Sequence, residues 1–166
     1  MNDAWTFLRI DRRSALWCRV SFDHPPANAI TPATLAELAE LIQLIEQDPD
    51  LEVVVFDSAV PGAFLGDLDG AAACAWAALV ARIARLGAHT IAAVRGRADG
   101  AGTLLVLACD RRFLARGDAV LGPVPAATDG VGTRPAPQDL QLTLVAGDRL
   151  DAAVEAAARG QLGQLS

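Results

Sequence analysis

TPATLAELAELIQLIEQDPDLEVVVFDS, residues 31–58, is a helix that returns into a strand. Thr31 suits a helix N-cap and Pro32 the first helical position, where a missing N–H costs nothing. Leu35, Leu38, Ile42 and Ile45 follow at spacings of three and four, with Glu37, Glu40 and Glu46 largely off that stripe, so one face is apolar. Asp48-Pro49-Asp50 ends the helix. Leu51 to Phe56, centred on Val53-Val54-Val55, then reads as a strand buried on both faces, as in a parallel sheet. Helix into buried strand is half of a β-α-β unit, and the fold class is α/β.

Upstream, Trp5–Ile10 and Leu16–Phe22 flank the polar turn Asp11-Arg12-Arg13-Ser14, and Leu16, Cys18, Val20 and Phe22 alternate with period two. That spacing predicts a hairpin. His24-Pro25-Pro26 closes it. Downstream, Gly70–Leu86 is Ala-rich and helical by propensity, with Trp76, Leu79, Val80 and Ile83 on its apolar side. Thr90–Val94 is a second short buried strand. Gly100-Ala101-Gly102 reads as a break, followed by a helix over 103–109 and a strand over Arg112–Ala115. Prolines at 123, 125, 135 and 137, with Gly130 and Gly132, predict a loop, and a last helix is expected from Leu150 to Arg159, stopping at Gly160.

A length of 166 residues is one domain's worth, 1–166, able to bury roughly 70% of its unfolded surface. At 52% hydrophobic and 20% charged the chain is no disordered one. Lys+Arg 14 against Asp+Glu 20 leaves a net charge of -6, which argues against nucleic acid or an anionic membrane as partner. No apolar run reaches the ~20 residues of a membrane span, and the N-terminus lacks a signal-peptide layout. Cys18, Cys74 and Cys109 have neither disulfide nor metal spacing and read as core cysteines; a reducing, cytoplasmic setting and no metal are expected.

The chemistry signals are few. A glycine turn leading into a helix aims free N–H groups at whatever sits above it, so Gly100-Ala101-Gly102 could hold a phosphate or a developing oxyanion. The same small residues also suit close helix packing. They do not complete a dinucleotide fingerprint or a P-loop. Asp67 and Asp69 follow a strand end, where α/β proteins place ligands, and Asp99 and Asp129 flank the glycine loops; solvated loop carboxylates explain all four as well. His24 and His89 read as capping or surface residues. Arg82, Arg85, Arg95 and Arg97 could meet phosphates or simply face solvent.

Five segments occur in a telling order over about residues 7–122: Phe22-Asp23-His24-Pro25-Pro26-Ala27-Asn28-Ala29-Ile30; Val53-Val54-Val55-Phe56-Asp57-Ser58-Ala59; Gly62-Ala63-Phe64-Leu65-Gly66-Asp67-Leu68-Asp69; the run from Thr90 through Arg95-Gly96-Arg97-Ala98-Asp99 to Gly102; and Leu107-Ala108-Cys109-Asp110-Arg111-Arg112-Phe113. Together they resemble the crotonase family, the enoyl-CoA hydratase/isomerase proteins; 123–166 match it weakly. The resemblance implies a spiral of β-β-α units that binds a coenzyme A thioester, as substrate or ligand and with no other cofactor. It places the two backbone donors of an oxyanion hole at the amides of Leu68 and Ala101, with Ala27, Asn28, Gly66, Asp67, Gly100 and Gly102 around the substrate.

Departures from the family pattern shape the expected activity. One glutamate of the hydratases falls here at Leu104; the other, aligned on Ala119-Val120-Leu121-Gly122, falls at Pro125, with Asp129 the nearest carboxylate to it. The segment Asp69–Thr90 is abbreviated, and the chain ends near where the resemblance expects the last core strand, a truncated C-terminus. Three readings stand: an acyl-thioester-binding protein without standard hydratase activity; an isomerase, decarboxylase or thioester hydrolase using another carboxylate such as Asp67, Asp99 or Asp129; or a non-catalytic assembly subunit. A homo-oligomer, a trimer or a multiple of one such as a hexamer, is expected because a short C-terminus should leave an apolar face uncovered.

Overall fold

The computed structural model describes residues 5–124 and 141–165. β1 (Leu8–Arg12) and β2 (Trp17–Phe22) form the expected antiparallel hairpin, its turn shifted to residues 13–16 where Arg13 and Ser14 donate to the Trp17 carbonyl. α1 (Pro32–Glu46) starts where Thr31 Oγ1 accepts from the Thr34 amide at 3.2 Å. It buries Leu35, Leu38, Ile42 and Ile45, the stripe read from the sequence, together with Leu41. β3 (Val53–Ser58) then lies parallel between β2 and β5 (His89–Val94).

A large sheet runs β1-β2-β3-β5-β7-β9, where β7 is Arg111–Arg116 and β9 is Leu142–Ala146. A small parallel sheet runs β4-β6-β8, made of Ala63–Leu65, Arg97–Ala98 and Val120–Leu121. The chain alternates between the two: β3 is followed by β4, β5 by β6, β7 by β8. A helix follows each of the first two pairs, α2 (Ala73–Ile83) after β4 and α3 (Gly100–Ala108) after β6. This is the β-β-α spiral that the resemblance implied.

The large sheet is covered on both faces. Val54 and Phe56 join Leu38, Ile42, Trp76, Ile83 and Leu105 in the core beneath α1, α2 and α3. Val53 and Val55 point the other way, onto Leu150, Val154, Ala157 and Ala158 of α4 (Leu150–Leu165). The unbroken Val-Val-Val run is thus explained by two cores. Buried Arg112 donates to the carbonyls of Val106 and Leu107, capping the C-terminal end of α3.

Several expectations change. Gly100-Ala101-Gly102 is not a break but the first turn of α3, since the Thr103 amide donates to the Asp99 carbonyl at 2.8 Å. The expected loop yields β9 at its far end, beside β7, while 125–140 lie outside the described residues. α4 does not stop at Gly160 but runs on to Leu165; a glycine in an exposed helix costs only ~1 kcal/mol, and Leu162 packs against the second core. Cys74 is exposed rather than core, while Cys18 and Cys109 are buried. Among the described residues no helix is long and apolar enough to cross a membrane.

Candidate functional site

The small sheet gathers the site. β4, β6 and β8 are parallel neighbours, so the chain leaves all three at the same end, where α/β folds place ligands. Cross-bonds hold these exits together. The Asp99 amide donates to the Leu65 carbonyl at 2.9 Å and the Gly122 amide to the Ala98 carbonyl at 2.7 Å. The Thr103 hydroxyl reaches the Gly122 carbonyl at 2.9 Å.

The first exit carries Leu68. Ile30 forms a parallel bridge with it, donating to the Asp67 carbonyl at 2.9 Å and accepting from the Asp69 amide at 3.1 Å. In a parallel ladder the bridged partner's own N–H and C=O face away, so the half-buried Leu68 presents its amide on the opposite side from Ile30. No backbone or side-chain hydrogen bond uses that amide among the described residues.

The second exit is the N-terminus of α3, a nine-residue helix. Asp99 stands at its N-cap position, yet its side chain does not cap; the carboxylate turns to Arg97 at 2.5 Å. The amides of Gly100, Ala101 and Gly102 precede the first intrahelical bond and keep the partial positive charge of a helix start. Two glycines allow the close fit. A Cβ on Gly102 would stand 2.8 Å from Leu65 Cβ, and one on Gly66 2.4 Å from the Ala27 carbonyl oxygen. Two separate sets of N–H donors thus lie at the same end of the small sheet. Such donors stabilise an oxygen that gains negative charge.

The expected ligand-contacting residues divide. Gly66 lies against Ala27 and Gly102 against Leu65 and Ala98, while Leu68 follows the β4 exit and Gly100, Ala101 and Gly102 the β6 exit. Asn28 is buried at φ 53° beside them, with its Nδ2 donating to Ser58 Oγ and the Phe64 carbonyl and its Oδ1 accepting from the His24 amide. Both hydrogens of its amide nitrogen are thereby used within the fold. Asp67 is exposed and contributes its carbonyl to Ile30; Asp69 caps the turn that follows it, accepting from the Ala71 amide at 3.1 Å. Leu104 is buried in the α1–α3 core. Asp129 and Pro125 lie outside the described residues.

The remaining candidates serve structure. His24 Nδ1 lies 3.0 Å from the Ala29 carbonyl, steadying the turn before α1. Arg82 pairs with Glu46, Arg95 with Asp151 and Arg97 with Asp99. His89 lies 3.7 Å from Asp110, and both line a cleft of about 610 Å³ at the N-terminal ends of β3, β5 and β7, away from the amides. Among the described residues no group of three or more His, Cys, Asp or Glu could hold a metal.

The profile of the family described as enoyl-CoA hydratase/isomerase matches residues 12–124, more than half of the chain and the whole of this site. The chain belongs to the enoyl-CoA hydratase/isomerase family. No curated protein sequence matches it. Two solved structures show the shared fold. An enoyl-CoA hydratase from Bacillus anthracis is 21% identical with a TM-score of 0.79, over 95% of this chain and 77% of that one. An enoyl-CoA hydratase from Mycobacterium smegmatis is 23% identical with a TM-score of 0.79, over 94% of this chain and 76% of that one.

Proposed function

We propose that this member of the family binds an acyl-coenzyme A or a similar acyl thioester, with the thioester carbonyl oxygen between the amides of Leu68 and Ala101. The uncapped first turn of α3 is the observation that carries the reading. A helix start whose own N-cap carboxylate is turned away toward Arg97 is ready to receive an external anion or a polarised carbonyl. The Leu68 amide, turned outward by the Ile30 bridge, supplies the second donor. When an enolate forms from the thioester, charge moves onto the carbonyl oxygen, and both donors then bind it more tightly than the starting ester.

Hydration is a different matter. It needs a base for the water and an acid for the α-carbon, each giving typically ~10²–10⁴-fold. The family pattern places those glutamates at Leu104 and Pro125, neither of which moves a proton. The reading is therefore an acyl-thioester binder with little hydratase activity. It also includes self-association: among the described residues β9 is an edge strand of the large sheet, and its Leu142 and Leu144 are 42% and 56% exposed.

The test is thermal unfolding with butyryl-CoA and with coenzyme A alone, beside a crotonyl-CoA hydration assay. Ligand at 100 times Kd adds ~2.7 kcal/mol of stability, so butyryl-CoA should raise the transition clearly. No shift with any thioester overturns the binding reading. Turnover near the ~10 s⁻¹ typical of enzymes overturns the placement of the lost acids.

A further inference from the structure

Trp76 is 1% exposed, and its indole N–H donates to the Ala101 carbonyl at 3.1 Å. The Gly100–Gly102 turn has no other side-chain hydrogen bond among the described residues. Two of its three residues are glycines, which lose the most conformational freedom on ordering, and the Asp99 side chain does not cap it. The bond is also not required by the helix, because Ala101 already faces the helical position of the Leu105 amide and its carbonyl has a second lone pair. Phe or Leu would fill the same apolar space with no donor to satisfy.

The same N-terminal end of α2 that carries Trp76 follows directly on the other donor. Asp69, next to Leu68, accepts the Ala71 amide through its side chain and the Ala72 amide through its carbonyl, starting the short 3-10 turn Gly70–Ala72 that runs into the helix carrying Trp76. The residue bearing the first amide thus leads, within one 3-10 turn, into the helix turn whose Trp76 reaches the residue bearing the second. We propose that Trp76 is a positioning residue for the site: acting through the Ala101 carbonyl, its indole N–H holds the first turn of α3 at the spacing from Leu68 that a thioester carbonyl requires. This rests on the thioester reading above, and it adds a residue that never touches the ligand.

The experiment compares butyryl-CoA with its S-butyl thioether, which lacks only the carbonyl oxygen, by calorimetric titration of wild type, Trp76→Phe, and protein with Trp76 replaced by benzothienylalanine. The last keeps the ring shape and removes only the N–H, so it stays folded if packing alone matters. Wild type should prefer the thioester. Both variants should lose about fivefold of that preference, the scale of one net hydrogen bond, while thioether affinity stays unchanged. If wild type discriminates and the benzothienylalanine protein discriminates equally, Trp76 only fills the core and the inference is overturned while the thioester reading stands. If wild type binds both alike or neither, the carbonyl reading itself fails, and the inference with it. A parallel fall in affinity for both ligands also overturns the inference, since it marks a general disturbance of the pocket.

Discussion

A methyl group on Gly66 would press on the Ala27 carbonyl oxygen at 2.4 Å, backbone against side chain with nothing flexible to yield. Gly66→Ala should therefore cost ~1–3 kcal/mol, and a chain of this size loses roughly 2–4 °C of Tm per kcal/mol. Differential scanning calorimetry checks it; an unchanged Tm would mean that the two exits are not held as tightly as described. The cysteines make a second test at this scale. Burial pushes the Cys18 thiol up to about 11 and the Cys109 thiol up to about 12, whereas Cys74 is exposed. A thiol reagent at neutral pH should label Cys74 at once and the other two only as fast as the protein unfolds. Three equally fast thiols would contradict the packing. In the sequence all three looked alike, because Ala-rich surroundings on α2 do not reveal which side of the helix Cys74 takes.

α4 is fastened to the sheet by charge as well as by its apolar face. Arg19 bridges Asp57 at 2.7 Å and Asp151 at 2.6 Å, Arg95 joins Asp151, and the Ser21 hydroxyl donates to Asp57. Burial raises Asp57 above the ordinary 3.8, against the opposing pull of Arg19. Asp151 is also penalised by burial, but its bond to Arg19 and the charges of Arg19 and Arg95 bring it below 3.8. The signs are opposite. Folded protein holds the Asp57 proton more tightly than unfolded protein does, so this group subtracts stability as pH rises from 3.8 through its raised value. Asp151 adds stability above 3.8, lost as pH falls through its lowered value. Asp57→Asn should thus flatten the decline in stability as pH rises above 3.8, measured by urea unfolding, whereas Asp151→Asn should cost ~0.2–1 kcal/mol at neutral pH because that side chain is half exposed. A pH-independent difference between wild type and Asp57→Asn would contradict this. The elements themselves were unequally legible. α1 and β3 announce themselves because their burial follows one clear period each. The small sheet does not, since strands of two or three residues carry no period, and β9 does not, since an edge strand exposed along most of its length has no alternation to show. The Gly100–Gly102 turn was visible as a donor site, but its partner Leu68 came only through the family resemblance. Asn28, Thr103 and Trp76 act through hydrogen bonds that join distant segments, which no local pattern records.

At the scale of the whole molecule, the spiral stacks parallel strand ends so that backbone amides, not side chains, make the candidate site. That places unusual weight on the main chain. Ala101→Pro removes one donor N–H at a helix start, where proline is tolerated, and should lower thioester affinity toward that of the S-butyl thioether in a protein that still folds by circular dichroism; an unchanged preference for the thioester would count against the Ala101 amide. The exposed Leu142 and Leu144 of β9 predict self-association, with light scattering at tens of micromolar giving a mass above that of one chain. A clean monomer there would remove assembly from the account. The central claim is that a thioester carbonyl sits between two amides, and isotope-edited infrared spectroscopy of bound butyryl-CoA, labelled with ¹³C at the carbonyl, reads that contact directly. Two donors aimed at the oxygen should move the carbonyl band to lower frequency on binding, with part of the shift lost in Trp76→Phe; a bound thioester whose carbonyl band stays where it is in water would contradict the claim.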